Sequence, residues 1–415
     1  MRLLVELRNY AQLLALHGRD VATRALQYLH QRLLQWGADV DASEGACLIA
    51  RLRPQVLYWL QGVEDIDDES RDVPHWLEHL QLLLADDILY VGGRQLLPLV
   101  VVRQLVSFGE TDAVPWGCDP AQLRCIVSAS TMATSASPAQ ARAHHDRDAD
   151  PAYERDMRIA LRWRAALAQG RVGLVSQPVR HGATRRELYG ETLLRVRQGA
   201  DDADAPALGP GELVCALERL GLVRLLDRLV VSAVIDRLEA DRAMRLGCNV
   251  SALSLVLDGW WGRPLQRLRA RPDVAARLTL EVTETMPVAD EVAAVAFLRQ
   301  LGLLGCRIAL DDFGSGHSTL GLARALRPEV IKIPAMRVHE ARDEPCAAAV
   351  LEQLVGQCRT LASDLVFEGI ECEQDLALAR RHGVDWLQGY AIGRPTALEP
   401  PLTLRPEPGR EVFHV

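Results

Sequence analysis

Apolar residues recur along this chain at spacings of two, which predict strands, and of three and four, which predict helices. Near the N-terminus, Leu3–Leu7 reads as a strand and Asp20–Trp36 as an amphipathic helix with leucines on one face. Strands are expected at Ala46–Leu52 and, beyond the break at Pro54, at Gln55–Gln61. Asp72–Ala85 predicts a helix, with Asp72 near its start and Pro74 in its first turn. Leu97–Phe108 predicts a further strand. Such a mixture over about 115 residues indicates a compact α/β domain.

Ser128–Asp150 is rich in Ala, Ser, His and charge and reads as a mobile linker. Asp150 and Pro151 then form a helix start, an N-cap followed by proline at the first position, and Gly170 is a stop. From Val172 onward strand and helix patterns alternate. Strands are expected at Val172–Pro178, Leu188–Val196, Cys248–Ser251, Leu278–Thr283, Arg307–Asp311, Val330–Ile333, Leu365–Gly369 and Trp386–Ala391. Most are separated by helical patterns: Leu213–Leu238, Glu291–Leu301, Cys346–Leu361 and Glu373–His382. Eight strands with helices between them in about 235 residues fit an α/β barrel of the (β/α)8 type. An open doubly wound sheet is the alternative, but no Gly-rich nucleotide fingerprint follows a first strand. The expected organisation is a smaller α/β domain over 1–140, a linker and connecting helix over 141–170, and the barrel over 171–405.

Composition narrows the function classes. Of 415 residues, 49% are hydrophobic, which argues against wholesale disorder, and the net charge of −8 argues against non-specific binding to nucleic acid. The nine cysteines are odd in number and form no C-x-x-C pair, as expected of thiols in a reducing compartment. No apolar run reaches membrane-spanning length and no secretory signal stands at the start, so a cytoplasmic protein is expected. The chain starts almost directly on a strand, which leaves open an upstream sensor or anchor. His75 and His79 share a helix face, but H-W-L-E-H lacks the glutamate directly after the first His that a zinc protease needs, and no third ligand is evident. They read as ordinary surface or packing histidines.

The chemistry gathers at the ends of the predicted barrel strands. Ala309–His317 reads A-L-D-D-F-G-S-G-H: a strand that stops on Asp311 and Asp312, followed by the glycine-rich loop that Gly314 and Gly316 permit. Adjacent buried carboxylates repel, so something cationic is expected above them. Glu191, Asn249, Glu281, Glu284, Lys332, Glu368, Glu371 and Gln388 stand at or near other strand ends, where barrel enzymes build their sites. Carboxylates with an Asn oxygen are hard ligands suited to Mg²⁺ or Mn²⁺, and so many acids point to a two-metal site and phosphoryl chemistry.

Glu191-Thr192-Leu193-Leu194-Arg195, E-V-T-E, D-D-F-G-S-G-H-S-T-L, E-G-I-E and Q-G-Y-A-I-G-R-P resemble the motifs of the EAL domain, a cyclic di-GMP phosphodiesterase. The resemblance covers about Val172 to Pro400. It implies Mg²⁺ or Mn²⁺, two per site, with Ca²⁺ inhibitory. Glu191, Asn249, Glu281 and Asp311 would hold one ion, and Asp311, Asp312 and Glu368 would surround the second. Lys332 would hold the attacking water or a phosphate oxygen, and Arg195 the substrate phosphate, with Leu193 and Gln388 also on the substrate side. Glu284 would anchor the loop Asp312–Ser318, which in the family couples dimerisation to metal binding, so a homodimer is expected.

The first domain resembles a degenerate GGDEF diguanylate cyclase domain. Ala50–Gly62 is similar to that family's strand–turn–strand, with Arg53-Pro54-Gln55-Val56-Leu57 where G-G-D-E-F belongs, and Leu123–Ser130 to a late strand. The glycines and acids of the turn are gone, which implies a catalytically dead module left to regulation, dimerisation or binding a protein partner. The second domain departs from its family once, with Lys332-Ile333-Pro334 where Lys-x-Asp is usual. Two readings stay open: a hydrolase of cyclic di-GMP, or a receptor that binds it without cutting it; against a third, a scaffold that binds no nucleotide, stands the whole polar set at the barrel mouth.

Overall fold

The computed structural model describes residues 2–7, 9–40, 48–53, 56–60, 89–91, 94–104, 151–199, 207–255, 259–283, 288, 290–314 and 320–402. Two compact units emerge, one built mainly from Met1–Leu161, the other from Arg162–Leu257 and Arg263–Arg405.

The first unit contains a four-stranded sheet. Strands β1 (Arg2–Leu7), β2 (Leu48–Arg53), β3 (Val56–Leu60) and β6 (Val100–Gln104) lie in the order β2-β3-β1-β6, each pair antiparallel. A small hairpin, β4 (Leu89–Val91) with β5 (Arg94–Leu96), precedes β6. The helix Tyr10–Val40 starts ten residues before the expected Asp20. Its buried Leu13, Ala22, Leu26, Leu29 and Leu33 keep helical spacing through a kink at Gly18. Buried Asn9 ties the unit together: its amide donates to Leu97 O (2.9 Å) and Tyr153 Oη (3.0 Å), and its oxygen accepts from Leu99 N (3.0 Å). The run expected as one strand over Leu97–Phe108 is extended only from Val100, because Pro98 interrupts it. The expected helix Asp72–Ala85, His75, His79, the strand Leu123–Ser130 and the Ser128–Asp150 linker lie outside the described residues.

The second unit is a closed eight-stranded barrel, in sequence order β7 (Val172–His181), β8 (Glu187–Val196), β9 (Leu246–Ser251), β10 (Leu278–Thr283), β11 (Arg307–Leu310), β12 (Val330–Ile333), β13 (Asp364–Phe367) and β14 (Trp386–Leu387). From β8 to β14 every neighbour is parallel. The first strand runs the other way. β7 is antiparallel to β8 and to β14, and it closes the barrel by pairing Arg180 and His181 with Leu387 and Trp386. The regular strand–helix alternation expected of a (β/α)8 barrel thus fails at its first step. Five residues, 182–186, join β7 to β8, and only a hairpin can be that short, whereas a parallel crossover needs a dozen or more. The other half of β7's free edge is covered by β15 (Thr396–Leu402), a strand the sequence pattern does not announce because Pro400 and Pro401 interrupt it.

The helix expected over Leu213–Leu238 is two helices, Pro210–Leu220 and Val223–Ala240. Gly221 breaks them in the left-handed conformation (φ 72°), its N–H closing on Glu218 O at 3.0 Å. The helices Gly259–Ala270 and Ala335–Asp343 are additional to those the pattern predicts, while Glu373–His382 matches it residue for residue. No helix among the described residues is long and apolar enough to cross a membrane.

A Cβ built on Gly221 meets no heavy atom within 4 Å, so Gly221→Ala tests backbone conformation alone. The left-handed penalty of about 1–2 kcal/mol should appear as a loss of stability in urea denaturation with an unchanged m value.

Candidate active site

Three neighbouring strands bring the first ligand-type side chains together. Tyr189 and Glu191 are two apart on β8 and share a face. The parallel register places Glu191 opposite Gly247, and Glu281 of β10 opposite Asn249 of β9. Lys332 stands on β12 between the buried Ile331 and Ile333, and is itself fully buried. β11 ends at Leu310, so Asp311 begins the loop, its N–H on Val282 O (2.9 Å), while Phe313 N reaches Lys332 O (3.1 Å). Glu368 follows β13 immediately, with its N–H on Ile333 O at 3.1 Å.

The result is one ammonium among four carboxylates. Lys332 Nζ lies 2.9 Å from Glu191 Oε2, 2.8 Å from Glu281 Oε2, 3.0 Å from Asp311 Oδ1 and 2.7 Å from Glu368 Oε1. Glu191 also accepts from Asn249 Nδ2 (2.8 Å) and Gln388 Nε2 (2.6 Å), and Glu281 accepts from Tyr189 Oη (3.2 Å). Burial pushes Glu281 well above the carboxylate range, the charges of Glu191 and Asp311 adding to it against the pull of Lys332. Burial likewise raises Asp311 to about 6 and Glu368 to about 8. At Glu191 burial is outweighed by Lys332, Gln388 and Asn249, which hold it below its ordinary value. Lys332 is held charged, its four acidic neighbours overcoming the cost of burial.

The donor set fits a hard divalent cation. Among the described residues, Glu191, Glu281 and Asp311 bring ligand oxygens within 4.8 Å of one another. Glu281 Oε1 and Asn249 Oδ1 are buried without a hydrogen-bond partner. Buried oxygens with no donor are costly unless a cation completes them, and an all-oxygen set selects Mg²⁺, Mn²⁺ or Ca²⁺ over softer metals.

The other expected site residues are placed less centrally. Asp312 is half-buried with φ 54°, and burial raises its pKa. Arg195 is half-buried and its guanidinium donates to Leu194 O (2.7 Å), on its own strand; Leu193 is half-buried opposite Val175. Glu371, counted with the strand-end acids, is exposed: the chain has turned at Gly369, and its backbone N–H is on Asp375 Oδ2 at 2.9 Å. Glu284 and residues 315–319 lie outside the described residues. Tyr189 is the buried site residue the sequence reading missed. Its position two before Glu191 on a strand was the available signal.

A cation-ready acidic cluster inside an eight-stranded barrel with a reversed first strand agrees with family comparison. The chain belongs to the EAL domain family, whose model matches residues 160–395. Among curated relatives, it is 27% identical over 261 residues to the cyclic di-GMP phosphodiesterase PdeB of Shewanella oneidensis, covering 61% of this chain and 30% of that protein. It is 31% identical over 201 residues to MucR of Pseudomonas aeruginosa, a bifunctional diguanylate cyclase/cyclic di-GMP phosphodiesterase, covering 46% and 28%. The matched stretch thus spans about a third of the length of these relatives. The solved phosphodiesterase of MucR in complex with c-di-GMP is 28% identical, with TM-score 0.51, covering 58% of this chain and 98% of that one. A S helix–GGDEF–EAL structure of Vibrio cholerae LapD covers 94% of this chain at 15% identity and TM-score 0.51, a likeness of fold alone.

The raised carboxyl values fix a pH dependence. Asp311 and Glu368 bind protons more tightly folded than unfolded, so the metal-free protein should lose stability as pH rises from about 4 to about 8. Lys332→Met removes the ammonium that restrains this and should cost about 3–5 kcal/mol at pH 8 and distinctly less at pH 5. Urea midpoints in chelator at both pH values are the check, and a loss that is larger at pH 5 would contradict it.

Proposed function

We propose that this chain hydrolyses cyclic di-GMP to linear pGpG. The observation that carries the reading is the buried Glu191–Glu281–Asp311–Glu368 cluster around Lys332 in a chain of the EAL domain family. The named activities of PdeB and MucR support it. Glu191, Asn249, Glu281 and Asp311 would hold one divalent cation, and Asp311, Asp312 and Glu368 a second. When bound, Mg²⁺ or Mn²⁺ supplies charge neutralisation at the phosphoryl group and lowers the pKa of water.

The remaining steps belong to the chain's own residues. Water adds to phosphorus in line with the departing 3′ oxygen; the P–O3′ bond breaks and the 3′ oxygen ends protonated. Lys332 Nζ neutralises a non-bridging phosphate oxygen, the kind of preorganised charge worth several kcal/mol to a transition state. Glu368 is the most exposed of the four acids around it, with a side chain 18% accessible, and Oε1 is the oxygen committed to Lys332. Its other oxygen is left for the second cation or for the proton of the attacking water. Gln388 and Asn249 fix the orientation of Glu191, and Arg195 turns from its own strand's carbonyl to the substrate phosphate, beside Leu193.

One observation favours the second reading, a receptor that binds without cutting. Pro334 is buried and begins the helix Ala335–Asp343, two residues beyond Lys332, and it offers neither charge nor an N–H where the family usually has Asp. The first 140 residues are proposed as a GGDEF-like module without cyclase activity, serving regulation or a protein partner. The antiparallel β2–β3 pair, whose register places Arg53 opposite Val56, supports that reading. A homodimer in the cytoplasm completes the proposal.

Purified protein is expected to convert cyclic di-GMP to pGpG with Mg²⁺ or Mn²⁺, and to bind without turnover in Ca²⁺. Glu191→Ala should lower the rate at least about 100-fold, and Glu368→Gln should abolish turnover more than binding. Equal cleavage by Glu191→Ala and wild type would sink the site. Binding by wild type with no cleavage under any metal would establish the receptor instead, and Pro334→Asp should then raise turnover.

No cyclic di-GMP is expected from GTP and Mg²⁺, and light scattering at micromolar concentration should give a dimer mass. A monomer at every concentration, with and without nucleotide, would exclude the dimer.

A further inference from the structure

Behind the acidic cluster lies a second buried polar group that the proposed chemistry does not use. Glu218 on the helix Pro210–Leu220 and Asp227 on the helix Val223–Ala240 are both buried, as are Ser251 and Ser254 just past Asn249. Asp227 Oδ2 accepts from the backbone N–H of Ser251 (3.0 Å) and from Ser254 Oγ (2.6 Å). Ser251 Oγ donates to Glu218 Oε1 at 2.7 Å.

The sheet register shows what these bonds do. The β8–β9 ladder stops at Thr192 opposite Cys248, one residue short of Asn249. From Asn249 to Ser251, β9 is paired only with β10, through Glu281 and Thr283. The edge of β9 toward β8 therefore loses its partner at the residue that must present its amide to Glu191. Asp227 and Glu218 seize the chain two residues later, one by the main chain and one by the hydroxyl.

We propose that Asp227 and Glu218 are positioning residues, which hold the end of β9 so that Asn249 Oδ1 stays directed at a divalent cation. This rests on the reading of Asn249 and Glu281 as cation ligands. Helix packing alone does not call for the arrangement. Buried carboxylates are costly where apolar side chains of similar size would pack at no such cost. Burial raises Asp227 to about 7, with Glu218 adding to it and Arg224 and the two serines opposing it.

The test is Mn²⁺ affinity of the full chain without nucleotide, read from the free-ion electron paramagnetic resonance signal, beside thermal melting in chelator. Asp227→Ala should weaken Mn²⁺ binding by about 10–100-fold, as loss of a support behind a metal ligand does. Asp227→Asn keeps an oxygen for both bonds and should restore most of that affinity. Ser251→Ala frees one of the two grips and should give a smaller loss. A residue that merely supports the fold would lower the melting temperature and leave the affinity of the folded protein untouched. Wild-type Mn²⁺ affinity in folded Asp227→Ala overturns the proposal; should that variant not fold, wild-type affinity in Ser251→Ala does so. Failure of the wild type itself to bind Mn²⁺ overturns both this and the cation reading. Binding by wild type with unaffected variants overturns this proposal alone.

Discussion

The barrel interior depends on a single ammonium. Lys332 lies within 3.0 Å of four carboxylates that arrive from four different segments of the chain. One positive charge cannot neutralise them, and three negative charges remain if all are ionised. The fold can hold that surplus only by binding protons or by binding cations. The raised values of Glu281, Asp311 and Glu368 are the proton solution, and the orphaned oxygens of Glu281 and Asn249 mark the cation solution. Proton and metal compete for the same oxygens, so loading the site releases protons and links cation affinity to pH. The phosphodiester proposed as substrate, itself anionic, would be compatible with this mouth only after the exchange.

Much of this was legible in the sequence, for a physical reason. Parallel strands buried on both faces read as short β-branched runs, and a charged residue inside one, as in V-I-K-I, is expensive enough to stand out. The polar positions Glu191, Asn249, Glu281 and Lys332 within apolar strands, and Glu368 just past one, were therefore visible one by one, and the barrel explained why they converge. Less legible was the reversed β7. Its alternation is that of any strand, and direction is written only in the length of the following turn. Glu371 is exposed beyond the turn at Gly369, so of the two acids in E-G-I-E only Glu368 joins the cluster. Tyr189, Glu218 and Asp227 were missed for another reason. They lie on a strand face or in helices whose patterns are dominated by leucine and valine, and nothing local distinguishes a buried acid from a solvated one.

The motif glycines turn out to work through space as much as through conformation. Ile370 N donates to Gln388 O at 2.9 Å, and Ala391 N to Ile370 O at 3.0 Å, so the segments after β13 and β14 lie backbone against backbone. At Gly389 a Cβ would fall 2.2 Å from Ile370 O, inside any tolerable contact. This close approach sits one residue from Gln388, which grips Glu191, and two from Glu368, which grips Lys332. Gln388 and Glu368 are therefore placed by the same backbone contact, and a shift at either would be felt at both.

That contact also gives the proline after Lys332 a structural meaning. The helix Ala335–Asp343 begins at Pro334, and on it His339 Nε2 meets Gly369 O at 2.8 Å. The helix that starts here thus buttresses the turn holding Glu368 from its other side. Proline fixes φ near −65°, and here φ is −67°, so the connection from β12 into that helix is stiff. Pro334 puts no charge beside Lys332, but it stiffens the connection next to the turn that holds Glu368. The choice between the proposed hydrolase and the proposed receptor then turns on the charge beside Lys332 and not on a loose helix start.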